Sequence, residues 1–342
     1  MGTKGGTPEE GAGIVGDITE ALIREQLLIR RDRLESAIAS KSGPDLIHLL
    51  DEVDAALERM DSGAYGTCDV CREPVEEERL IADPLVRYCL DHLSPEEQTA
   101  LENDLKLASQ MQRELLPRQN LSFGGWQVSY YYQPLGPVSG DYCDLVVRES
   151  GQPSLYFLLG DASGKGVAAS MLMAHLHAIF RTLIAGALPL EELVERAGRI
   201  FCEATMAPYF ATLVCGRADA SGRVELCNAG HCLPLLVHDR KASTVEIDTG
   251  LPLGMFSDGS YSARAVELGP GDGLFLYTDG LSEARSRNDE EYGEDRLRRT
   301  LAACNRLSPQ GMIDASIRDW KGFLSGSPPT DDVTVMTILR EG

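Results

Sequence analysis

Val138-Ser-Gly-Asp141-Tyr-Cys-Asp144 and Gly160-Asp161-Ala162-Ser-Gly-Lys-Gly166 are the stretches on which the fold turns. Each sets an aspartate beside glycine at the edge of an apolar, β-rich segment. Two later stretches repeat the device: Tyr277-Thr-Asp279-Gly280, and Pro329-Thr-Asp331-Asp332-Val333 just before a final strand. A single Asp-Gly is an ordinary β-turn. Four such carboxylates in one domain, each delivered by a strand to a turn, also make a site for hard cations, because Mg²⁺ and Mn²⁺ prefer oxygen ligands and water. No histidine-rich cluster accompanies them, which argues against zinc or copper here. On spacing alone both readings stay open.

Outward from these stretches, residues 118–342 alternate strands, turns and a few helices in an α+β pattern that could be one domain. The predicted strands are 126–134, 154–160, 212–217, 223–228, 233–237, 273–277 and 333–339; the predicted helices are 165–185, 189–206, 293–304 and 308–324.

Residues 1–16 are rich in glycine without periodicity and are expected to be disordered. From Ile18 apolar residues recur at helical spacing to Ile38, and a second amphipathic helix runs from Asp45 to Met60, so the Ser-Gly-Pro between them predicts a helical hairpin. Cys68 and Cys71 then stand two residues apart, as do Cys89 and His92, with seventeen residues between the pairs. Two such knuckles close a tetrahedron of three thiolates and one imidazole, the coordination of structural zinc. Ser94 and Glu97 form a capping box, and Leu101, Leu105, Ala108, Gln112 and Leu115 follow at four and three spacing. Residues 94–117 are therefore expected to be a helix, either a dimerising linker or one that packs on its own domain.

The 342 residues carry 32 basic and 53 acidic side chains, a net charge of −21. Residues 1–100 hold 10 basic and 22 acidic side chains, a net of −12, which leaves −9 for the rest. That sign opposes binding of nucleic acid or anionic lipid, the zinc segment included. The apolar runs at 155–159, 233–237 and 274–277 fall far short of the ~18 residues of a membrane span. The amino terminus has neither signal-peptide layout nor acylation signal, and nine cysteines without framework spacing fit a reducing compartment, so a cytoplasmic location is expected.

Two resemblances organise these features. Gly63-Ala-Tyr-Gly-Thr-Cys-Asp-Val-Cys71, Arg79-Leu-Ile-Ala-Asp-Pro84 and the Cys89/His92 pair resemble the zinc finger of the DksA/TraR family over residues 18–93, with His92 where a fourth cysteine is usual. The ordered series Val138–Leu145, Gly160–Ala169, Asn228-Ala-Gly-His231, Leu251-Pro-Leu-Gly254, Tyr277–Ala284 and Asp331-Asp-Val-Thr334 resembles the SpoIIE/RsbU branch of metal-dependent type 2C protein serine/threonine phosphatases, and Gln112–Pro117 is similar to the segment preceding that domain.

The second resemblance implies an αββα sandwich in 118–342, preceded by the hairpin and zinc finger (17–93) and the linker helix (94–117). It implies a phosphatase using two Mn²⁺ or Mg²⁺ ions. Asp161 would bridge them, aided by the Ala162 carbonyl; Asp141 would assist, and Asp279 and Asp331 would complete the second site. Its implied substrate is a phosphorylated anti-sigma-factor antagonist, with an upstream regulator acting on 17–117 and a homodimer through the linker. A non-catalytic phosphoprotein scaffold and a DksA-like regulator of RNA polymerase are the alternatives.

The chain departs from the branch at Cys143, at Cys232 and at Ser163, where many type 2C enzymes carry a candidate general-acid histidine. His231 is expected to stabilise a turn. Lys165 and Arg181 are candidate substrate contacts, with solvated charge as the default. The spacing of a phosphate-binding loop is not met at 160–166.

Overall fold

The computed structural model describes residues 10–40, 43–93, 95–205, 208–304 and 308–341. It divides the chain into two compact units, Met1–Asn103 and Asp104–Gly342.

In the first unit, α1 (Glu10–Ser40) and α2 (Pro44–Asp61) form the predicted hairpin, followed by α3 (Glu77–Ala82) and a single 3₁₀ turn at Leu90–His92. Helix α1 begins at Glu10, so residues 10–16 are helical and not disordered. A helix nucleated by packing further along propagates cheaply, at one hydrogen bond per residue fixed. Ile23, Leu27 and Leu34 pack with Val53, Ala56, Leu57 and Met60, and Cys68, Val75, Leu80 and Cys89 join the same core. The hairpin and the knuckles thus share one apolar interior. Helix α4 (Pro95–Leu115) crosses the boundary between the units; Ser94, its expected cap, lies outside the described residues.

The second unit contains β1 (Asn120–Phe123), β2 (Trp126–Gln133), β3 (Asp141–Arg148), β4 (Ser154–Ala162), α5 (Gly166–Ile184), α6 (Leu190–Ala204), β5 (Ala211–Asp219), β6 (Arg223–Ala229), β7 (Leu235–His238), β8 (Lys241–Thr244), β9 (Thr249–Gly250), β10 (Ala263–Glu267), β11 (Gly273–Tyr277), α7 (Asp279–Ser282), α8 (Glu294–Ala303), α9 (Pro309–Leu324) and β12 (Val333–Arg340). One sheet has the order β1-β2-β12-β11-β7-β8. The other has β10-β6-β5-β4-β3, with β9 beside β6.

Alternation along the strands explains why both sheets need two covers. Leu155, Phe157 and Leu159 of β4 point into the core between the sheets, where they meet Leu274 and Leu276 of β11 and Met336 and Ile338 of β12. Tyr156 and Leu158 point the other way, under α5 and α6. Phe275 and Tyr277 of β11 likewise face α8 and α9, whose Leu297, Ile313 and Trp320 are buried against them. The four layers are helix, sheet, sheet, helix.

The pattern did not mark β1, β3, β8, β9, β10 or α7, and two placements bear on the site. Asp141 opens strand β3, where the sequence placed it at a strand end; β3 and β4 are antiparallel and Asp141 is the partner of Asp161, so a strand start and a strand end deliver carboxylates to the same edge. Helix α5 is, among the described residues, the one helix long and apolar enough to cross a membrane by composition. The sequence concealed this because His175, His177 and Arg181 cut its apolar run into pieces. Its Ala169, Met173, Leu176, Ile179, Phe180 and Ile184 are buried beneath the sheet it covers, as in the core helix of a layered domain.

Candidate active site and metal centre

The four candidate aspartates stand on neighbouring strand ends. Asp161 lies near the end of β4, Asp279 just past β11, Asp331 just before β12, and Asp141 at the start of β3. Glycines permit the close approach. A Cβ on Gly140 would come to 2.9 Å from the Ala162 carbonyl oxygen and 3.3 Å from Asp161 Oδ1; a Cβ on Gly280 would fall 1.9 Å from the Asp332 carbonyl oxygen. Any side chain at either position would drive the two walls apart.

Electrostatically the group is under stress. Burial, together with Asp279, Asp331 and Asp332, pushes the Asp161 carboxyl up to about 7. Burial and Asp331 also raise Asp279, and burial with the Asp161 charge raises the deeply buried Asp141. Like charges held together at a low-dielectric edge are relieved by a proton or by a bound cation. Carboxylate oxygens plus a backbone carbonyl, with no nitrogen or sulfur donor among them, form the donor set that Mg²⁺ and Mn²⁺ take. Among the described residues the cation at this edge is Lys165, whose Nζ donates to Asp331 Oδ2 and to the Thr330 carbonyl, both at 2.9 Å. A cleft of about 120 Å³ lined by Leu135, Pro137, Val138, Lys165, Asp331 and Asp332 opens beside these groups.

Three supporting residues escaped the sequence. Thr278 and Thr334 donate their hydroxyls to Asp141 Oδ2, so the first sheet holds the carboxylate of the second. Asp332 accepts from the backbone N–H groups of Leu135 (2.6 Å) and Gly140 (2.8 Å), which fixes the turn that presents Asp141. Two adjacent aspartates look alike in a sequence. The turn each meets separates a carboxylate paired with Lys165 from one that holds backbone N–H groups.

Other candidates fall outside the cluster. Arg181 makes two hydrogen bonds, 2.8 and 2.7 Å, from Nε and Nη2 to the fully buried Asp144. His177 approaches the same carboxylate at 3.5 Å. The backbone N–H and C=O of His231 are both bonded to the Asn228 side chain, while its Nδ1 meets the Thr212 hydroxyl at 2.8 Å. Burial drives the His231 imidazole down to about 4, so it is a neutral turn residue at physiological pH. Ser163 accepts from the Phe210 N–H and acts as a backbone tie. Cys143 and Cys232 pack in the interior, and burial raises both thiols.

Helix α4 reaches the site through one side chain. Gln112, 7% exposed, donates from Nε2 to the Ser139 carbonyl (2.7 Å) and accepts at Oε1 from the Ser139 N–H (3.0 Å), two residues ahead of Asp141. Gln112 and Leu115 of the expected dimer seam are thus turned into their own domain, and Leu107 and Met111 are the exposed apolar residues of this part of the helix.

The first unit holds a different donor set. The sulfurs of Cys68, Cys71 and Cys89 and a ring nitrogen of His92 all lie within 4.8 Å of one another. Cys71 and Cys89 Sγ are 3.7 Å apart, and Cys89 Sγ is 3.3 Å from His92 Nδ1. Tetrahedral zinc with ~2.3 Å bonds to sulfur requires a sulfur–sulfur separation of about 3.8 Å, so the donors fit that ion. Burial opposes ionisation of Cys68, but the backbone N–H groups of Cys71, Cys89 and Val70 outweigh it and hold the thiol at about 6, a ready thiolate.

Residues 151–341 match the family described as Stage II sporulation protein E (SpoIIE), and residues 63–91 match the prokaryotic dksA/traR C4-type zinc finger. The second match ends just before His92, where this chain puts an imidazole in place of a fourth thiolate. Protein IcfG of Synechocystis sp. is 26% identical over 265 residues, which cover 69% of this chain and 41% of IcfG. Phosphoserine phosphatase RsbU of Bacillus subtilis is 23% identical over 247 residues, covering 71% of this chain and 72% of RsbU. The SiaA-PP2C domain of Pseudomonas aeruginosa has the same fold, with a TM-score of 0.61 at 19% identity over 72% of this chain and 99% of that domain. The chain spans less than half the length of IcfG.

Proposed function

The chain belongs to the SpoIIE family, and on that premise we propose that it is a metal-dependent protein phosphatase acting on phosphoserine or phosphothreonine of a regulatory protein. The observation that carries this reading is the electrostatic stress on Asp161, which shares its edge of the sandwich with Asp279 and Asp331 and is offset in part by Lys165. Asp161 with the Ala162 carbonyl, Asp279 and Asp331 would hold two Mn²⁺ or Mg²⁺ ions, with Asp141 in support. Such ions, when bound, supply Lewis acidity that activates water and neutralises charge on the phosphoryl oxygens.

The remaining work falls to the chain. Thr278, Thr334 and Asp332 keep Asp141 and its turn fixed, so the carboxylates do not reorganise as charge develops. Lys165 sits at the mouth of the cleft and can bind a phosphoryl oxygen once Asp331 is engaged elsewhere. Ser163 is tied to Phe210 and His231 is neutral, so we assign the general-acid role to neither.

The substrate we propose is a phosphorylated anti-sigma-factor antagonist. The name of RsbU as a phosphoserine phosphatase and the ordered motifs support this. Cys68, Cys71, Cys89 and His92 would bind one structural zinc, and the first unit would regulate the second in a cytoplasmic homodimer joined through residues 95–116. Incubating the full chain with Mn²⁺ and phosphorylated antagonist proteins should release phosphate and deplete phosphoserine. A rate unaffected by metal, or none with any phosphoserine protein, would overturn the assignment.

A further inference from the structure

At the other end of the second sheet lies a cavity of about 350 Å³ lined by Arg148, Gln152, Ser154, Arg217, Asp219, Arg223 and Glu225. Ser154 begins β4 and Asp161 is seven residues on, so at ~3.3 Å per residue the cavity is about 23 Å from the aspartate cluster. Strand alternation puts Arg148, Arg217 and Glu225 on the helix-covered face, as Tyr156 and Cys215 show. The helices stop short of them. Helix α5 ends at Ile184 and α6 starts at Leu190, and the connecting Leu188 carbonyl accepts from Arg217 at 3.4 Å.

The charges are unevenly satisfied. Glu225 serves both Arg217 and Arg223. Asp219 Oδ1 is occupied by the Ser221 N–H, the Ser221 hydroxyl and the Arg223 N–H. Arg148 has, among the described residues, no carboxylate partner; it reaches only the Gln152 carbonyl at a long 3.4 Å, and its buried Nε donor is unpartnered. A buried donor on a charged group is costly to leave unpaired. Three guanidinium groups against two carboxylates give the cavity a net +1 inside a chain of net −21.

We propose that this cavity is a binding site for the phosphoryl group of a small molecule, with Arg148 as its principal ligand. A guanidinium fork pairs two of its N–H groups with two oxygens of such a group. Ser154 and Gln152 add neutral hydrogen-bonding groups. The volume lies at the lower end of small-molecule sites, about 300–1,000 Å³, and leaves room for a polar organic remainder beside the phosphate. The site is separate from the aspartate cluster and does not depend on the activity proposed for it.

Isothermal titration of the full chain without added Mn²⁺ or Mg²⁺ tests this, with glucose 6-phosphate, inorganic phosphate and glucose as probes. One of the two phosphates should bind at one site per chain and glucose should not; which phosphate binds identifies the source. Arg148→Gln should weaken that binding at least tenfold, Arg148→Lys should weaken it less, and Arg318→Gln on α9 should leave it unchanged. Raising KCl should weaken it further. Arg148→Lys keeps the charge, so it serves if Arg148→Gln melts early. No binding of either phosphate to the unaltered chain at millimolar concentration, or equal binding by both Arg148 variants, would overturn the proposal.

Discussion

The two ligand clusters of this chain are opposites. The first unit gathers three thiols and an imidazole, converging donors that would leave no coordination place for anything else. The second gathers carboxylates and a carbonyl, hard donors at an open sheet edge beside a cleft. The first has the spacing of a bound ion already built into its side chains. The second holds mutually repelling groups apart on separate strands, and among the described residues its aspartates do not draw together as tightly as the thiols do. Closed soft sites hold a fold together, whereas open hard sites leave places for water and substrate.

Breaking the hard cluster should have the largest effect. Asp161→Ala or Asp279→Ala is expected to lower Mn²⁺-dependent phosphate release on the order of a thousandfold or more, with circular dichroism and the melting transition preserved. Retained turnover in either variant would remove the distinction between the clusters. The soft cluster should fail in the other way. Cys89→Ala should lose one equivalent of zinc by metal analysis and expose 17–93 to protease, since zinc binding of this kind contributes about 10–16 kcal/mol to folding. The separate transition of residues 104–342 should survive.

An intermediate loss is expected from Asp332→Asn. It weakens the acceptor for two backbone N–H groups without touching a proposed ligand, so kcat should fall roughly 10–100-fold, as for other supporting residues of metal sites. The apparent Mn²⁺ affinity should fall with it. An unchanged enzyme would mean the 135–140 turn holds itself.

The smallest effect concerns pH. His231 is held near 4 against an ordinary 6.5, so the unfolded chain binds more protons between those values. Stability contributed by the neutral imidazole is present above pH 6.5 and is lost as pH falls towards 4. Melting curves across that window should flatten in His231→Gln if this residue is the cause.

The four donors that cluster in the first unit were legible in the sequence through local spacing, as was an α+β pattern in the second; the four layers were expected only from the resemblance carried by the ordered motifs. Paired Cys-x-x-Cys and Cys-x-x-His sit in two short turns, and alternation marks the strands that face two ways. The aspartates were legible as residues, but not the division of labour between Asp331 and Asp332, which is set by a turn almost two hundred positions earlier in the chain. Thr278 and Thr334 were invisible for the same reason, since a hydroxyl near a strand carries no signal of its distant partner. Arg181 looked like a free surface cation because Asp144, its buried partner, lies 37 residues away on another element. The length of α1 was hidden by its glycines.

Gln112 treats Ser139 as a neighbouring strand would, giving a donor and an acceptor to one residue's backbone. The linker helix is therefore keyed to the sheet like a tooth in a notch. A slip of one residue would bring Met111 or Arg113 to that notch, and neither side chain carries a donor and an acceptor together. Sliding or turning of the helix by one residue would therefore break both hydrogen bonds together and leave Asp332 as the remaining tie on the loop that leads to Asp141.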